Sequence, residues 1–185
     1  MTALQTAGFA HPPSNVDALG LKPHMLVADF GAGSGHYTLE MAQQLVKGRV
    51  YAIDIQQDLL RRVHREAHQR GLKNVEIIWS DLEKAGGSKI ADRHVDLVLV
   101  SNLLFQLEDK RAPLHEARRI LRPAGMLAII DWRDSYGGLG PIKKHVVKPA
   151  AAAELAAACG FALVEEFDAG AHHYGMILRP IHQPR

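Results

Sequence analysis

The sequence predicts an α/β fold in which helices cover both faces of a mostly parallel sheet. Short apolar runs typical of buried strands alternate with longer segments of helical periodicity, and this order indicates βαβ units. A glycine-rich turn follows the first apolar run directly. Near the end of the chain, two apolar runs are separated by a link too short for a helical crossover. We therefore expect the last two strands to be antiparallel neighbours.

The first half of the regular pattern consists of three strands separated by two helices. The first helix carries apolar residues at helical spacing, the last of them Leu45 and Val46, and should end near Gly48. The second helix turns Leu60 and Val63 inward and its arginines outward. The predicted strands are residues 25–30, 49–55 and 75–81, and the predicted helices are residues 35–48 and 56–71.

The second half continues the alternation and then changes at the tail. A helix over residues 110–121 begins after Asp109, a favourable cap, and tolerates Pro113 in its first turn. A later alanine-rich helix ends at Gly160. The remaining predicted strands are residues 95–102, 125–132, 161–170 and 172–180.

Before this pattern, residues 1–24 contain several prolines and glycines and have little periodicity. We expect an irregular N-terminal arm there, with one short helical turn near residues 16–19. Residues 25–185 contain no repeat or linker and should form a single domain.

Composition excludes several classes of protein. The chain is 47% hydrophobic and 23% charged, as expected for a globular domain, and its net charge of +2 does not demand a polyanionic partner. The single cysteine, Cys159, excludes an internal disulfide and a cysteine-based zinc site. Neither a membrane-spanning run nor a secretory leader is recognisable. These features predict a soluble, cytoplasmic protein without a bound metal.

The glycine-rich turn has the sequence VADFGAGSGHYT, with Gly31, Gly33 and Gly35 in alternation shortly after Asp29. A dinucleotide-binding turn places a pyrophosphate on the helix N-terminus. Here His36 stands where the dinucleotide pattern requires glycine, and the carboxylate of Asp29 would repel phosphate. S-adenosylmethionine fits the charge better, because it carries an ammonium and a sulfonium and has no phosphate. The alternative is an ordinary tight connection between a strand and a helix.

Acidic residues end the next two strands. Asp54 ends the second strand, where its carboxylate can accept hydrogen bonds from both hydroxyls of a ribose, as in NAD enzymes also. Asp81 ends the third strand and could accept from the adenine amino group, with the N–H of Leu82 nearby. Ile55 would cover one face of the adenine.

Five segments together resemble the class I S-adenosylmethionine-dependent methyltransferases, in particular the branch that methylates quinones and other small molecules. They are VADFGAGSG, VYAIDI, IIWSDLE, VDLVLVSNLLFQLED and LRPAGMLAIIDW. The resemblance implies a Rossmann-like, doubly wound, seven-stranded sheet, mostly parallel with an antiparallel last strand. It also implies that the following residues contact S-adenosylmethionine: Gly31, Gly33, Gly35, Asp54, Asp81 and Asn102. Methyl transfer would leave S-adenosylhomocysteine as the product, and the acceptor would be a small organic or lipid-like molecule.

Two other functions stay open at this stage. An NAD-dependent oxidoreductase would also explain the glycine turn and Asp54, although no tyrosine has a lysine four residues later, as short-chain dehydrogenases require. A non-catalytic module that binds a cofactor or RNA would fit the same sheet, although no aromatic residues are interleaved with the basic ones for base stacking.

The sequence does not identify a general base. Asp131 and His145 follow the fifth strand and border the expected substrate side, and either could accept a proton. His172 and His173 are consecutive on a predicted strand and should point to opposite faces, so at most one faces the site. His64 and His68 have metal-ligand spacing on one helix, but no third ligand is evident, so a solvated basic face is the better interpretation.

Overall fold

The fold, described for residues 10–181 from a computed structural model, is built around one seven-stranded sheet. The strands are β1 (Leu26–Phe30), β2 (Arg49–Asp54), β3 (Val75–Trp79), β4 (Val95–Ser101), β5 (Leu121–Trp132), β6 (Phe161–Asp168) and β7 (His173–Pro180). The helices are α1 (Pro12–Ala18), α2 (His36–Gln44), α3 (Gln57–Gln69), α4 (Arg111–Ile120) and α5 (Pro149–Ala158). Two short 3₁₀ turns lie at Leu104–Gln106 and Lys143–His145.

The strand order is β3-β2-β1-β4-β5-β7-β6, so the chain reverses its direction of growth between β1 and β4. Strands β1 to β5 pair in parallel, and β7 is antiparallel to both β5 and β6. The predicted seven-stranded, mostly parallel sheet with an antiparallel last strand is confirmed. In such sheets, ligands bind beyond the carboxyl ends of the strands, where the order reverses.

The core explains why the central strands are almost entirely apolar. Layers of helices bury both faces of the sheet, and Val98 and Val100 of β4 have no exposed surface. Helix α3 buries Leu60 and Val63 while its arginines stay exposed, as its periodicity predicts. Among the described residues, no helix combines the length and the apolarity needed to cross a membrane.

Two elements after the N-terminal arm differ from their predicted bounds by four residues at one end, and the other bounds there differ less. Helix α2 ends at Gln44, before both Leu45 and Val46; Leu45 is still fully buried, whereas Val46 is 72% exposed. The prediction that Val46 belongs to the apolar face of the helix is wrong. Strand β5 begins at Leu121, directly after α4, because Leu121 pairs with Val95 ahead of an irregularity in the β4–β5 register.

The predicted N-terminal arm contains a helix, α1, longer than the single turn expected near residues 16–19. Its Val16 is fully buried, and the Asn15 side chain donates hydrogen bonds to the hydroxyl of Tyr37 and the carbonyl of Ala169, at 2.9 and 3.1 Å. This part of the arm is therefore packed on α2 and on the end of the sheet. Residues 1–9 of the arm lie outside the described residues, and the division at residue 24 stays a prediction.

Candidate functional site

The glycine-rich turn joins β1 to α2 at the centre of the sheet, beside the carboxyl end of β2. The N–H groups of Gly31 and Ala32 both donate hydrogen bonds to the carbonyl oxygen of Ile53, at 2.9 and 3.0 Å. Gly31, Gly33 and Gly35 have positive φ angles of 73°, 53° and 84°. Because other residues rarely adopt this conformation, the backbone path accounts for the alternation of glycines.

The space available for a side chain differs among the three glycines, and this difference distinguishes their roles. A Cβ added to Gly31 would lie 2.9 Å from Cδ1 of Leu103, and one added to Gly35 would lie 2.7 Å from Cγ2 of Val63. A Cβ added to Gly33 would meet only the carbonyl oxygen of Gly31, at 3.8 Å. Gly31 and Gly35 therefore permit close internal packing, whereas Gly33 leaves room for a ligand to approach the backbone.

Asp54, the last residue of β2, is held by two backbone N–H groups. Gly33 donates to its Oδ2 and Gln56 donates to its Oδ1, both at 2.8 Å. The residue is 7% exposed. Because each carboxylate oxygen offers two acceptor positions, both oxygens keep capacity for a further donor. The pair of hydroxyls on a ribose would supply two such donors.

Two cavities adjoin at the glycine-rich turn. The first, which we call the β2–β3 cavity, has a volume of about 320 Å³ and is lined by these predicted residues: Gly31, Gly33, Asp54, Ile55, Asp81 and Leu82. The second, which we call the β4–β5 cavity, has a volume of about 450 Å³ and is lined by Asp29 and Asn102, and again by Gly31 and Gly33. Gly35 lines neither cavity. The structure thus brings eight of the nine predicted residues to two neighbouring cavities.

The β2–β3 cavity offers both apolar surface and hydrogen-bond acceptors. Ile55 is 61% exposed, whereas Leu82 is 6% exposed. Oδ1 of Asp81 accepts a hydrogen bond of 3.0 Å from the N–H of Glu83, and its Oδ2 lies 3.6 Å from Nζ of Lys84. Asp81 therefore keeps acceptor capacity beside an exposed apolar side chain, which suits a purine with an amino group.

Asp29 is a buried carboxylate at the wall of the β4–β5 cavity. It is 1% exposed and accepts a hydrogen bond from the hydroxyl of Thr38. Burial raises the pKa of Asp29 to about 7, and the negative charge of Asp54 raises it further, against the lowering effect of the Thr38 hydrogen bond. A cation in the cavity would favour the ionised carboxylate, and an anion would disfavour it.

Asn102 follows β4 with a positive φ of 51° and is held by β5 and β7. Its N–H donates to the carbonyl of Ile130 at 2.8 Å, and its Oδ1 lies 3.0 Å from Nε2 of His173. His173 is 1% exposed, and burial lowers its pKa to about 4. The imidazole is therefore neutral at physiological pH, with the Nε2–H donating to Asn102.

His173 is a site residue that the sequence alone does not assign. It lines the β4–β5 cavity, its ring centroid lies 4.3 Å from that of Trp132, and its Nδ1 is buried without a hydrogen-bond partner among the described residues. His172, by contrast, does not line the cavity, and its Nδ1 lies 2.8 Å from Oδ1 of Asp134. The consecutive histidines are the signal in the sequence, and the pairing of β7 with β5 decides which one reaches the cavity.

The two predicted candidates for a general base lie outside the lining of both cavities. Asp131 is fully buried and accepts hydrogen bonds from the N–H groups of Leu104 and Trp132, at 3.1 and 2.8 Å. Burial raises the pKa of Asp131 to about 7. His145 is exposed in the 3₁₀ turn after β5. Asp131 therefore organises the backbone around the site, and the structure does not bring either side chain to a cavity.

The start of helix α1 and the residues just before it contribute to the wall of the β4–β5 cavity. Ala10 and Pro12 line it, as does Tyr37, whose hydroxyl is held by Asn15. No lysine or arginine belongs to the lining of this cavity within residues 10–181. Its charge therefore comes mainly from Asp29, and the rest of the surface is neutral or apolar.

A family model described as a methyltransferase domain matches residues 21–173 of the chain. Among curated relatives, the ubiquinone/menaquinone biosynthesis C-methyltransferase UbiE of Shewanella oneidensis is 27% identical over 119 residues. This match covers 63% of the chain and 46% of the relative. The chain thus spans somewhat less than half the length of the curated relatives it matches.

Solved structures show the same fold over a larger share of the chain. A SAM-dependent methyltransferase from Aquifex aeolicus superposes with a TM-score of 0.83 at 27% identity, covering 92% of this chain and 89% of that one. A putative type 11 methyltransferase from Sulfolobus solfataricus superposes with a TM-score of 0.76 at 24% identity, with 95% of both chains covered. The second likeness shows the fold alone.

Proposed function

The chain belongs to the methyltransferase domain family, and from that premise we propose that it is an S-adenosylmethionine-dependent methyltransferase. Its acceptor is a small organic or lipid-like molecule. The observation that carries this proposal is the pair of cavities that adjoin over Gly33, one with a carboxylate suited to a ribose and the other with a buried carboxylate suited to an ammonium.

The residues of the two cavities fit the two ends of this cofactor. In the β2–β3 cavity, Asp54 would accept hydrogen bonds from the ribose, Asp81 and the N–H of Leu82 would bind the adenine edge, and Ile55 would cover its face. These assignments are supported by the common lining of these residues and by the acceptor capacity left on both carboxylates.

The amino-acid end of the cofactor would lie in the β4–β5 cavity, over the backbone of Gly33 and with its ammonium near Asp29. The open space at Gly33 and the raised pKa of Asp29 support this placement, since a bound ammonium would compensate the buried negative charge. Asn102 would contact the cofactor from the end of β4. Gly35 would not contact the cofactor through either cavity but would allow the turn to take its conformation, because there is no room for a Cβ between it and Val63.

When bound, S-adenosylmethionine supplies both the methyl group and the leaving group. The tasks left to the protein are to align the acceptor and to exclude water. Trp132, His173 and Asn102 would provide a neutral wall for the acceptor in the β4–β5 cavity. A proton acceptor is needed only where the attacking atom must lose a proton.

Apart from Asp29, the lining of the β4–β5 cavity carries no acidic, lysine or arginine side chain among the described residues, which favours an uncharged acceptor. The relative named as a ubiquinone/menaquinone biosynthesis C-methyltransferase supports a quinone-like or other lipid-like aromatic molecule. The cavity volume of about 450 Å³ must hold the methionine end as well as the reacting part of the acceptor. Only the ring of a long lipid would therefore lie inside, with any tail outside the cavity.

The alternatives raised by the sequence are not favoured. The buried carboxylate of Asp29 beside the turn opposes a pyrophosphate, and the family match and the likeness to the Aquifex aeolicus structure indicate methyltransferases rather than NAD-dependent oxidoreductases. No described residue gives a specific reason for an RNA-associated module. A cytoplasmic location stays a prediction from the sequence.

Binding and turnover test the proposal in sequence. A thermal shift assay with S-adenosylhomocysteine and with NADH should show stabilisation by the first ligand only. Transfer of a labelled methyl group to a panel of quinols, phenols and amines then identifies the acceptor. Stabilisation by NADH without stabilisation by S-adenosylhomocysteine would refute the proposal.

A further inference from the structure

We propose that the segment of residues 133–148, which we call the β5–α5 loop, docks the protein on an anionic lipid surface. The segment connects β5 to α5 and is exposed along most of its length. Two properties point to a lipid surface: large apolar side chains that face solvent, and a run of basic residues without neighbouring acids. The same loop contributes Leu139 and Gly140 to the lining of the β4–β5 cavity.

The apolar side chains of the loop are unusually exposed. Tyr136 is 48% exposed, Leu139 is 53% exposed and Ile142 is 58% exposed. Within residues 10–181, these are three of the nine large apolar residues that face solvent, although the loop is only a small part of the chain. Exposed apolar groups concentrated in one segment mark an interaction surface.

The charge of the loop is positive and is not neutralised within it. Lys143, Lys144 and Lys148 are exposed, and none of them forms an ion pair with a described residue. No acidic residue occurs between Asp134 and Glu154. The exposed apolar residues therefore share the segment with three positive charges, which attract an anionic surface.

The loop lies against the cavity in which the acceptor is proposed to bind. Leu139 and Gly140 line the β4–β5 cavity, and a Cβ added to Gly140 would lie 2.6 Å from the ring of Trp132. At the other end of the loop, the hydroxyl of Tyr174 donates a 2.9 Å hydrogen bond to the carbonyl of Val147. The middle of the loop, at Gly140, and its last part, at Val147, are thus held against the sheet, and the loop has a defined position at the cavity.

A lipid surface explains the combination better than an acidic protein does. Lysines alone would suit any polyanion, but apolar side chains mixed with lysines are typical of segments that lie in the membrane interface. Docking here would place the opening of the cavity against the bilayer, so that a lipid-like acceptor could enter without crossing water. Delivery of the acceptor rests on the proposed function, whereas docking itself does not.

Co-sedimentation with unilamellar vesicles tests the docking on the full chain. We expect binding to vesicles of phosphatidylglycerol mixed with phosphatidylcholine, and little binding to phosphatidylcholine alone. The double variant Lys143→Glu/Lys144→Glu should lower the partition coefficient at least about tenfold, because each lysine near an anionic surface contributes a factor of about five and both are lost. Ile142→Asp should lower it as well.

Matched controls separate docking from general effects of charge. Lys47 and Lys73 are exposed just before the amino ends of β2 and β3, whereas the loop follows the carboxyl end of β5, and Val46 is exposed before β2 too. Lys47→Glu/Lys73→Glu and Val46→Asp should bind vesicles like the wild type. Every variant should keep its thermal shift with S-adenosylhomocysteine, so a failure of the proposed function would be recognised separately.

Three results would overturn the proposal. The first is no binding to phosphatidylglycerol vesicles. The second is an equal loss of vesicle binding in the control variants Lys47→Glu/Lys73→Glu and Val46→Asp. The third is an undiminished vesicle affinity of Ile142→Asp together with complete competition by soluble polyglutamate. The last result would assign the loop to an acidic protein partner instead of a membrane.

Discussion

The backbone N–H of Gly33 donates a 2.8 Å hydrogen bond to Oδ2 of Asp54, across the junction of the two cavities. Of the three glycines in the turn, Gly33 has the most open space at its Cβ position, and this contact fixes it to the end of β2. One carboxylate therefore holds the turn in place and faces the cavity in which a ribose would bind. Asp54 is the position at which structure and ligand binding are most closely coupled.

Asp54→Ala should weaken binding of S-adenosylhomocysteine by about 1.5–3 kcal/mol, the scale of hydrogen bonds to a charged acceptor. Isothermal titration calorimetry measures this change. Asp58→Ala is a matched control, because the Asp58 side chain is 94% exposed in the first turn of α3. Equal affinities of the Asp54→Ala variant and the wild type would remove Asp54 from the site.

Gly33→Ala should lower the affinity for S-adenosylhomocysteine at least about tenfold, because the added methyl group occupies the open space over the turn. Gly71→Ala controls for backbone strain. Gly71 has a φ of 70°, and its added Cβ would meet no atom within 4 Å, whereas the Cβ added to Gly33 would meet only the carbonyl oxygen of Gly31, at 3.8 Å. Both variants should lose a similar stability of about 1–2 kcal/mol in urea unfolding. If both variants also bound the ligand equally well, Gly33 would not contact it.

The pKa of Asp29 predicts how binding depends on pH. In the free protein the carboxylate is half protonated near pH 7, and a bound ammonium favours the ionised form. The affinity for S-adenosylhomocysteine should therefore rise about tenfold between roughly pH 6 and pH 8. Asp29→Asn should abolish this dependence. Asp131→Asn should retain it, because Asp131 has a similarly raised pKa but lines neither cavity.

The same raised pKa values predict the sign of a stability effect in the free protein. Between pH 4 and 7 the folded state binds protons at Asp29 and Asp131 that the unfolded state does not. Their contribution to stability is present in acid and is lost as the pH rises through about 7. Asp29→Asn should therefore gain stability relative to the wild type as the pH increases, measured by urea unfolding. A gain that shrank with rising pH would contradict the pKa assignment.

The hydrogen bond between Asn102 and His173 should give a coupling energy in a double-mutant cycle of the free energy of unfolding. Asn102→Ala and His173→Leu should each destabilise the protein, and the double variant should lose about 1 kcal/mol less than the sum of the two. His173→Gln should retain part of the coupling, because a glutamine amide can still donate to Asn102. Strict additivity in urea unfolding would mean that the two side chains do not interact in solution.

Most of the fold could be predicted because apolar strands and amphipathic helices alternate clearly. The errors have local causes. Helix α2 ends at Gln44, before Leu45 and Val46, so helical periodicity no longer decides which of them is buried. Leu45 is buried and Val46 is exposed. The extension of β5 to Leu121 depends on its pairing with Val95, and pairing between strands is not visible in a single sequence.

The candidate site divides in the same way. Residues near the ends of strands and in the turn, such as Asp29 and Asp54, could be placed from local pattern. The partnership of Asn102 with His173 could not, because it joins residues 71 positions apart through the antiparallel β7. Whether a predicted residue reaches a cavity also depends on packing. Gly35 lies close to the side chain of Val63, and the carboxylate of Asp131 binds backbone N–H groups.

A crystal structure of the protein with S-adenosylhomocysteine tests the central claim most directly. We expect the ribose hydroxyls on Asp54, the amino-acid end over Gly33 and the ammonium beside Asp29. Crystals soaked with NAD that showed pyrophosphate oxygens on the N–H groups around Ser34, in a protein that left S-adenosylhomocysteine unbound, would contradict it.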